Sequence, residues 1–271
     1  MGLRIRLYSF LWRPRWIAVT AVMLLLIPAF LELSLWQFHR LDARRHSNLV
    51  VSTALLAPAT PLDAVFPLNV GVPLDRTLEW RPVTLRGSWV NAPTAYARRH
   101  WRGNRVGFYA VNAFRLSSGR IVAIARGWLS PTGLDQSDPT ALTSPNTTVE
   151  VNGWLRAAES TRCPADLPES QITGLNQNCF MAKGWPRSIE SSLWVQANWQ
   201  ATAPEALWAS PDAAQRSALD IPPPELSEGP HLSYAWQWRL FALLSVVGWT
   251  ILVRTERIRL LEGPKALGPE Q

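Results

Sequence analysis

The chain has 271 residues, of which 47% are hydrophobic and only 17% are charged, against about 25% charged in an ordinary soluble domain. That deficit points toward lipid. The formal net charge of +7 is not accompanied by an aromatic-interleaved basic stripe or a recognisable reader motif, which excludes nucleic-acid binding as the working expectation.

The first apolar stretch runs from Trp16 to Leu35, and as a helix it spans roughly 30 Å, the thickness of a bilayer's hydrocarbon core. Arg4, Arg6, Arg13 and Arg15 precede it. A signal peptide carries only ~7 to 15 apolar residues before a small-residue cleavage site, and no such site follows here. Fifteen residues leave no room for a removable mitochondrial presequence, so the expected location is a bacterial plasma (inner) membrane. From Leu41 to Leu56 the pattern suggests a helix that continues above the membrane until Pro58, Pro61, Pro67 and Pro73 break it.

From Arg81 onward the hydrophobic period changes to two. Val83, Leu85, Gly87 and Trp89, then Val106, Phe108 and Val111, then Ile121 to Ala125, then Val149, Val151, Gly153 and Leu155 read as strands. Gly103-Asn104, Ser118-Gly119 and the stretch from Pro131 to Pro145 supply turns too short for crossover helices, so the sheet is expected to be antiparallel. A fifth strand at Leu193 to Trp199 would complete a barrel-like or sandwich domain without exposed edges.

Glycine precedes tryptophan at Gly87 to Trp89, Gly127-Trp128 and Gly153-Trp154, a pattern that fits a bulged strand with an indole lying across a bare backbone. Residues Ala157 to Ile189 read as an irregular excursion holding both cysteines, Cys163 and Cys179. In an outer compartment these two are expected to form a disulfide worth about 3 kcal/mol of loop entropy. No histidines stand beside them at zinc spacing.

The second apolar stretch, Ser233 to Val253, is bracketed by Tyr234, Trp236, Trp238 and Trp249, as expected at bilayer interfaces. Basic residues near the membrane ends number eight on the tails (Arg4, Arg6, Arg13, Arg15, Arg254, Arg257, Arg259 and Lys265) and three on the loop side (Arg40, Arg44 and Arg45), which puts both termini in the cytoplasm. The organisation expected is an integral membrane α+β protein: a tail at 1–15, a transmembrane helix at 16–36, a periplasmic β-rich domain at 37–232, a second transmembrane helix at 233–253 and a tail at 254–271. Glu32 and Arg239 fall at matching depths within the apolar segments, so an ion pair between them is expected.

Enzyme constellations are absent from the sequence: there are four histidines, no nucleophile elbow, no phosphate loop and no paired-cysteine redox motif. The expectation is a protein that is not an enzyme. His231 follows Pro230, which would open the second helix, and shares a face with Tyr234 and Trp238. Neutral imidazole at such a place is either an interfacial hydrogen-bonding anchor or an iron ligand.

The motifs, taken in order, resemble the Surfeit locus protein one family of assembly factors for haem-copper cytochrome c oxidase. Leu35 to Arg40 (L-W-Q-F-H-R) is similar to the end of that family's first helix, and Arg81 to Trp89 (R-P-V-T-L-R-G-S-W) to its first strand. Gly107 to Tyr109, Ser118 to Trp128 and Val151 to Arg156 follow in the family's order, and Gly229 to Trp238 (G-P-H-L-S-Y-A-W-Q-W) resembles its entry into the second helix. The chain departs from the pattern at Ala125, where the family usually has asparagine, and at Arg239.

The resemblance implies a helper in delivering or inserting haem a into the oxidase's large subunit, in partnership with that subunit and with the haem a synthesis machinery. It makes His231 the haem iron contact with Tyr234 beside it, and Trp36, Gln37, Arg40, Arg126, Gly127 and Trp128 family-pattern positions. Arg40, Arg44 or Arg239 would suit the propionates. Two other classes stand beside this one: a membrane-anchored scaffold that holds an oxidase subunit without haem, and an outward-facing membrane enzyme.

Overall fold

The structure, a computed structural model, describes residues 8–67, 72–132, 147–164, 166–208, 216 and 218–262. In chain order its elements are α1 (Pro14–Leu55), β1 (Thr60–Pro61), α2 (Leu62–Val65), β2 (Pro82–Trp89), β3 (Ala95–Arg102), β4 (Arg105–Leu116), β5 (Ile121–Leu129), β6 (Val149–Ala157), β7 (Gln171–Ile172), α3 (Gln177–Met181), β8 (Leu193–Ala197), α4 (Pro204–Leu207) and α5 (His231–Glu262). They divide into a helical unit, residues 1–48 with 227–271, and a strand unit, residues 49–226. The Pro131 to Pro145 turn and the basic residues Arg4, Arg6 and Lys265 lie wholly or largely outside the described residues.

α1 has 42 residues and is therefore about 63 Å long, roughly twice a bilayer's hydrocarbon core. It runs past the expected membrane end and stops at Leu55, short of Pro58, as the sequence suggests. α5, with 32 residues, begins at His231. Both helices are long and apolar enough to cross a membrane, and their most apolar windows are only 6% and 11% buried, so their apolar surface is not spent on a protein core.

Within the helical unit, side-chain partners pair low numbers on α1 with high numbers on α5, which makes the helices antiparallel. Arg15 bonds Glu256, and Trp249 Nε1 donates to Thr20 Oγ1 at 3.1 Å. Phe30 stacks on Trp238 with ring centroids 5.8 Å apart. Arg45 makes a two-pronged ion pair with Glu228 at 2.9 and 3.0 Å. The expected Glu32–Arg239 pair is not among the ion pairs of the described residues. The Arg239 guanidinium instead lies over Phe38 at 4.7 Å and Trp236 at 5.1 Å, an aromatic seat that needs no carboxylate.

The strand unit is one sheet in the order β1-β2-β6-β8-β5-β4-β3-β7, with a further β2–β4 pairing. Pairings therefore run β2-β6-β8-β5-β4 and back to β2, a closed circuit. Gly87 makes that closure possible: a Cβ there would sit 1.9 Å from the Arg115 carbonyl oxygen on β4. The antiparallel expectation holds for most neighbours, but β1 runs parallel to β2, β8 to β5 and β7 to β3. β8 follows a long excursion rather than a hairpin, so nothing local dictates its direction.

Beyond the two-residue β1 and β7, β3 is the strand that periodicity misses. Arg98, Arg99, His100 and Arg102 interrupt its apolar alternation, and a register shift between Arg98 and His100 sets Arg99 at φ 64°. The extra residue turns His100 onto the Tyr109 ring, 3.8 Å between centroids.

A second bulge organises the core. β4 partners step from Ala110–Gly127 to Val111–Ala125, leaving Arg126 as the extra residue. Before it Val122 and Ile124 face one cluster, with Val83, Leu85, Phe114 and Val195, while Ala123 and Ala125 face the other. After it the alternation inverts, and Trp128 joins the second cluster. All nine residues of β5 are buried, because the excursion covers the second face with Ile172, Phe180, Trp185 and Ile189.

Trp89, Trp128, Trp185, Trp194 and Trp199 each donate their indole N–H to a backbone carbonyl at 2.7 to 3.0 Å. These tryptophans are core, not a docking face. Cys163 and Cys179 come together in the second cluster, where the sequence expected a disulfide, but they are free thiols. Burial, then a hydrogen bond with Cys163, pushes the Cys179 thiol up to about 11.

Candidate functional site

The site begins with a glycine. Gly229 has φ +69°, a conformation L side chains avoid, and its N–H donates to Ser227 Oγ at 3.1 Å. Pro230 then presets the helical turn, and its carbonyl accepts both the Tyr234 N–H at 3.1 Å and the Ser233 hydroxyl at 2.8 Å. His231 is the first residue of α5, placed by this cap. A Cβ on Gly229 would lie 3.5 to 3.6 Å from His231 Cδ2 and Nε2, so the missing side chain leaves that edge of the imidazole open.

The other edge is held. His231 Nδ1 lies 2.9 Å from Gln37 Oε1 on α1, and Gln37 is buried at 9% exposure. With the carboxamide oxygen accepting, Nδ1 is the donor, and Nε2 lies on the open edge. This is the way ligating histidines are oriented, the far nitrogen tied to an acceptor and the near one left for a metal. One turn earlier on α1, Ser34 is 1% exposed and its Oγ has no partner, and Trp238 Nε1 on α5 is likewise buried and unpartnered. The imidazole, tied at Nδ1 and open at its Nε2 edge, is the donor here whose chemistry would suit a haem iron.

Of the other residues singled out by sequence, Tyr234 lies one turn beyond His231 and is 45% exposed, and Trp36 is 54% exposed. Arg40 and Arg44 are exposed. Arg126, Gly127 and Trp128 belong to the strand unit. There Arg126, 1% exposed, has no carboxylate among its described hydrogen bonds: it donates to the Leu207 carbonyl at 2.8 Å and stacks at 4.1 Å on Trp208. Burial draws its guanidinium down to about 9. Gln37 as the partner of His231 was within reach of sequence only as a polar residue in an apolar helix, the kind that finds a partner. Arg45–Glu228 carried no signal.

The sequence model of the SURF1 family matches residues 24–243, a span that contains both Gln37 and His231. This chain belongs to the SURF1 family, which is associated with cytochrome oxidase assembly. It is similar to SURF1-like proteins of Mycobacterium tuberculosis and Mycobacterium bovis, each described as uncharacterised. Each is 25% identical over 244 residues, covering 89% of this chain and 84% of the relative.

Proposed function

We propose that this SURF1 protein is an assembly factor for haem-copper cytochrome c oxidase, anchored in a bacterial plasma membrane by α1 and α5. Eight basic residues on the tails against three beside the loop support cytoplasmic termini and a periplasmic strand unit. Its task is to help haem a reach the oxidase's large subunit, alongside the machinery that makes haem a. It has no catalytic step of its own.

The observation that carries the reading is the Gln37–His231 bond at 2.9 Å, with Gly229 leaving the Nε2 edge open. Gln37 holds the imidazole's tautomer and plane, while α1 and α5 wall the site with apolar surface. His231, oriented by Gln37, would hold haem a, which would supply an iron centre able to take an imidazole nitrogen. A single protein ligand is weaker than two, which suits a carrier that must let go.

The test is an absorption spectrum of the detergent-purified protein from cells that make haem a. Wild type shows a haem a band, His231→Ala loses it, and Gln37→Leu retains at most a tenth, within the 10- to 100-fold span typical for loss of a ligand's supporting hydrogen bond. No band in any of the three would replace this reading with that of a scaffold that holds an oxidase subunit without haem.

A further inference from the structure

The strand unit contains a cavity of about 350 Å³ whose lining includes Trp80, Trp101, Tyr109, Trp128, Arg102 and Arg156. Its volume is near the bottom of the range for ligand pockets, room for a small ring system or a chain terminus. The Arg156 guanidinium stacks on Trp80 at 3.8 Å and lies 5.1 Å from Trp194. Its described hydrogen bonds are long, 3.4 Å to Glu79 and 3.3 Å to Gln196, where a guanidinium satisfied by a carboxylate sits at about 2.7 to 2.9 Å. Burial lowers its affinity for the proton despite Glu79, so its charge is only partly compensated.

The rim supplies the complementary half. Trp101 is 67% exposed on the β3–β4 hairpin, whose Gly103 takes φ +56°. A large indole left in water beside a cavity is a stacking surface in waiting. Glu225 also lines the cavity but is exposed, so water screens its charge far better than that of Arg156.

We propose that this cavity binds an aromatic carboxylate, its ring against Trp101 and its carboxylate on Arg156. The ligand is either a free aromatic acid or the carboxyl terminus of a protein ending in an aromatic residue. The cavity lies wholly within the strand unit and shares no residue with the His231 site, so the proposal stands independently of haem.

The experiment is a fluorine NMR titration of the full chain in detergent with N-acetyl-5-fluorotryptophan and with its amide, micelles without protein being subtracted. The acid broadens saturably and the amide binds at least tenfold more weakly, as expected for one hydrogen-bonded charge. Arg156→Lys weakens the acid, and so does Trp101→Ala, an exposed substitution that leaves the fold intact. A peptide ending in tryptophan that binds more tightly than the acid identifies a chain terminus as the source; one that binds more weakly identifies a free acid. Equal binding of acid and amide, no saturable broadening, or an unchanged Trp101→Ala titration overturns the proposal.

Discussion

Replacing Glu190 tests how the strand unit admits its parallel strand. Arg120, at the β4–β5 turn, donates from Nε and Nη2 to Glu190 Oε2 at 3.0 and 2.6 Å, and both side chains are 4% exposed. The other oxygen, Oε1, accepts the Ser191 and Ser192 N–H groups at 2.9 and 3.1 Å. Arg120 also donates to the Phe66 carbonyl at 2.6 Å. Just beside the pair, the Glu190 N–H bonds the Ile121 carbonyl at 2.8 Å, where the chain first falls in line with β5.

Removing one partner of a buried pair costs about 3 to 5 kcal/mol, because the survivor stays buried and unpaired. For Glu190→Gln we expect about 3 kcal/mol: the amide still accepts some N–H groups, and Asp63, 3.3 Å from Arg120 but 45% exposed, offsets part of the charge. The assay is urea unfolding of the detergent-solubilised chain followed by tryptophan fluorescence. The double replacement Arg120→Met, Glu190→Leu should recover much of the loss, since an apolar pair leaves no orphaned charge. A Glu190→Gln midpoint indistinguishable from wild type would refute the reasoning.

Other predictions concern titration and close approach. Burial, then the charge of Arg156, draws His100 down to about 4 from the ordinary 6.5. Unfolding therefore takes up a proton between these values, and about 3 kcal/mol of stability present above pH 6.5 drains away as pH falls through 4; His100→Phe, keeping the stack on Tyr109, should flatten that acid limb in urea titrations. Cys179, pushed up to about 11, should resist iodoacetamide at pH 8 in reduced native protein and react once unfolded, as read by mass spectrometry. Gly87→Ala should cost about 3 kcal/mol or prevent accumulation, since the new methyl meets backbone rather than a movable side chain; normal yield and an unchanged unfolding midpoint would contradict that.

The parts of this protein that were legible in its sequence are those set by local pattern. The terminal helices announced themselves by apolar length, and β2, β4, β5 and β6 by alternation. Gly103 and Gly119 mark hairpins through positive φ, the chemistry their dipeptides advertised. What was not legible depends on pairings far apart in sequence. β3 hid because its bulge at Arg99 breaks the period, and the parallel β8 follows the Arg120–Glu190 pair, whose partners stand 70 positions apart. His231 could be named from sequence, but the partner that holds its ring, Gln37, lies 194 residues away. Glu32 and Arg239 failed as a pair because depth matching ignores the aromatic rings that Arg239 found first.

The circuit of strand pairings has a consequence for how this molecule meets others. Each of β2, β4, β5, β6 and β8 already bonds a strand on both sides, though β8 meets β5 only at Ile124 and Ala125 and β4 meets β2 only at Gly87 to Trp89, which leaves a partner short stretches at most for strand addition. Outside the circuit, β3 is covered by β7 only at Tyr96 and Ala97, and the remainder of its edge carries Arg98, Arg99 and Arg102, charges that discourage strand addition. Recognition by this unit is therefore expected mainly in side chains, and a change of client would come from altered rims and loops while most of the backbone ladder stays in place.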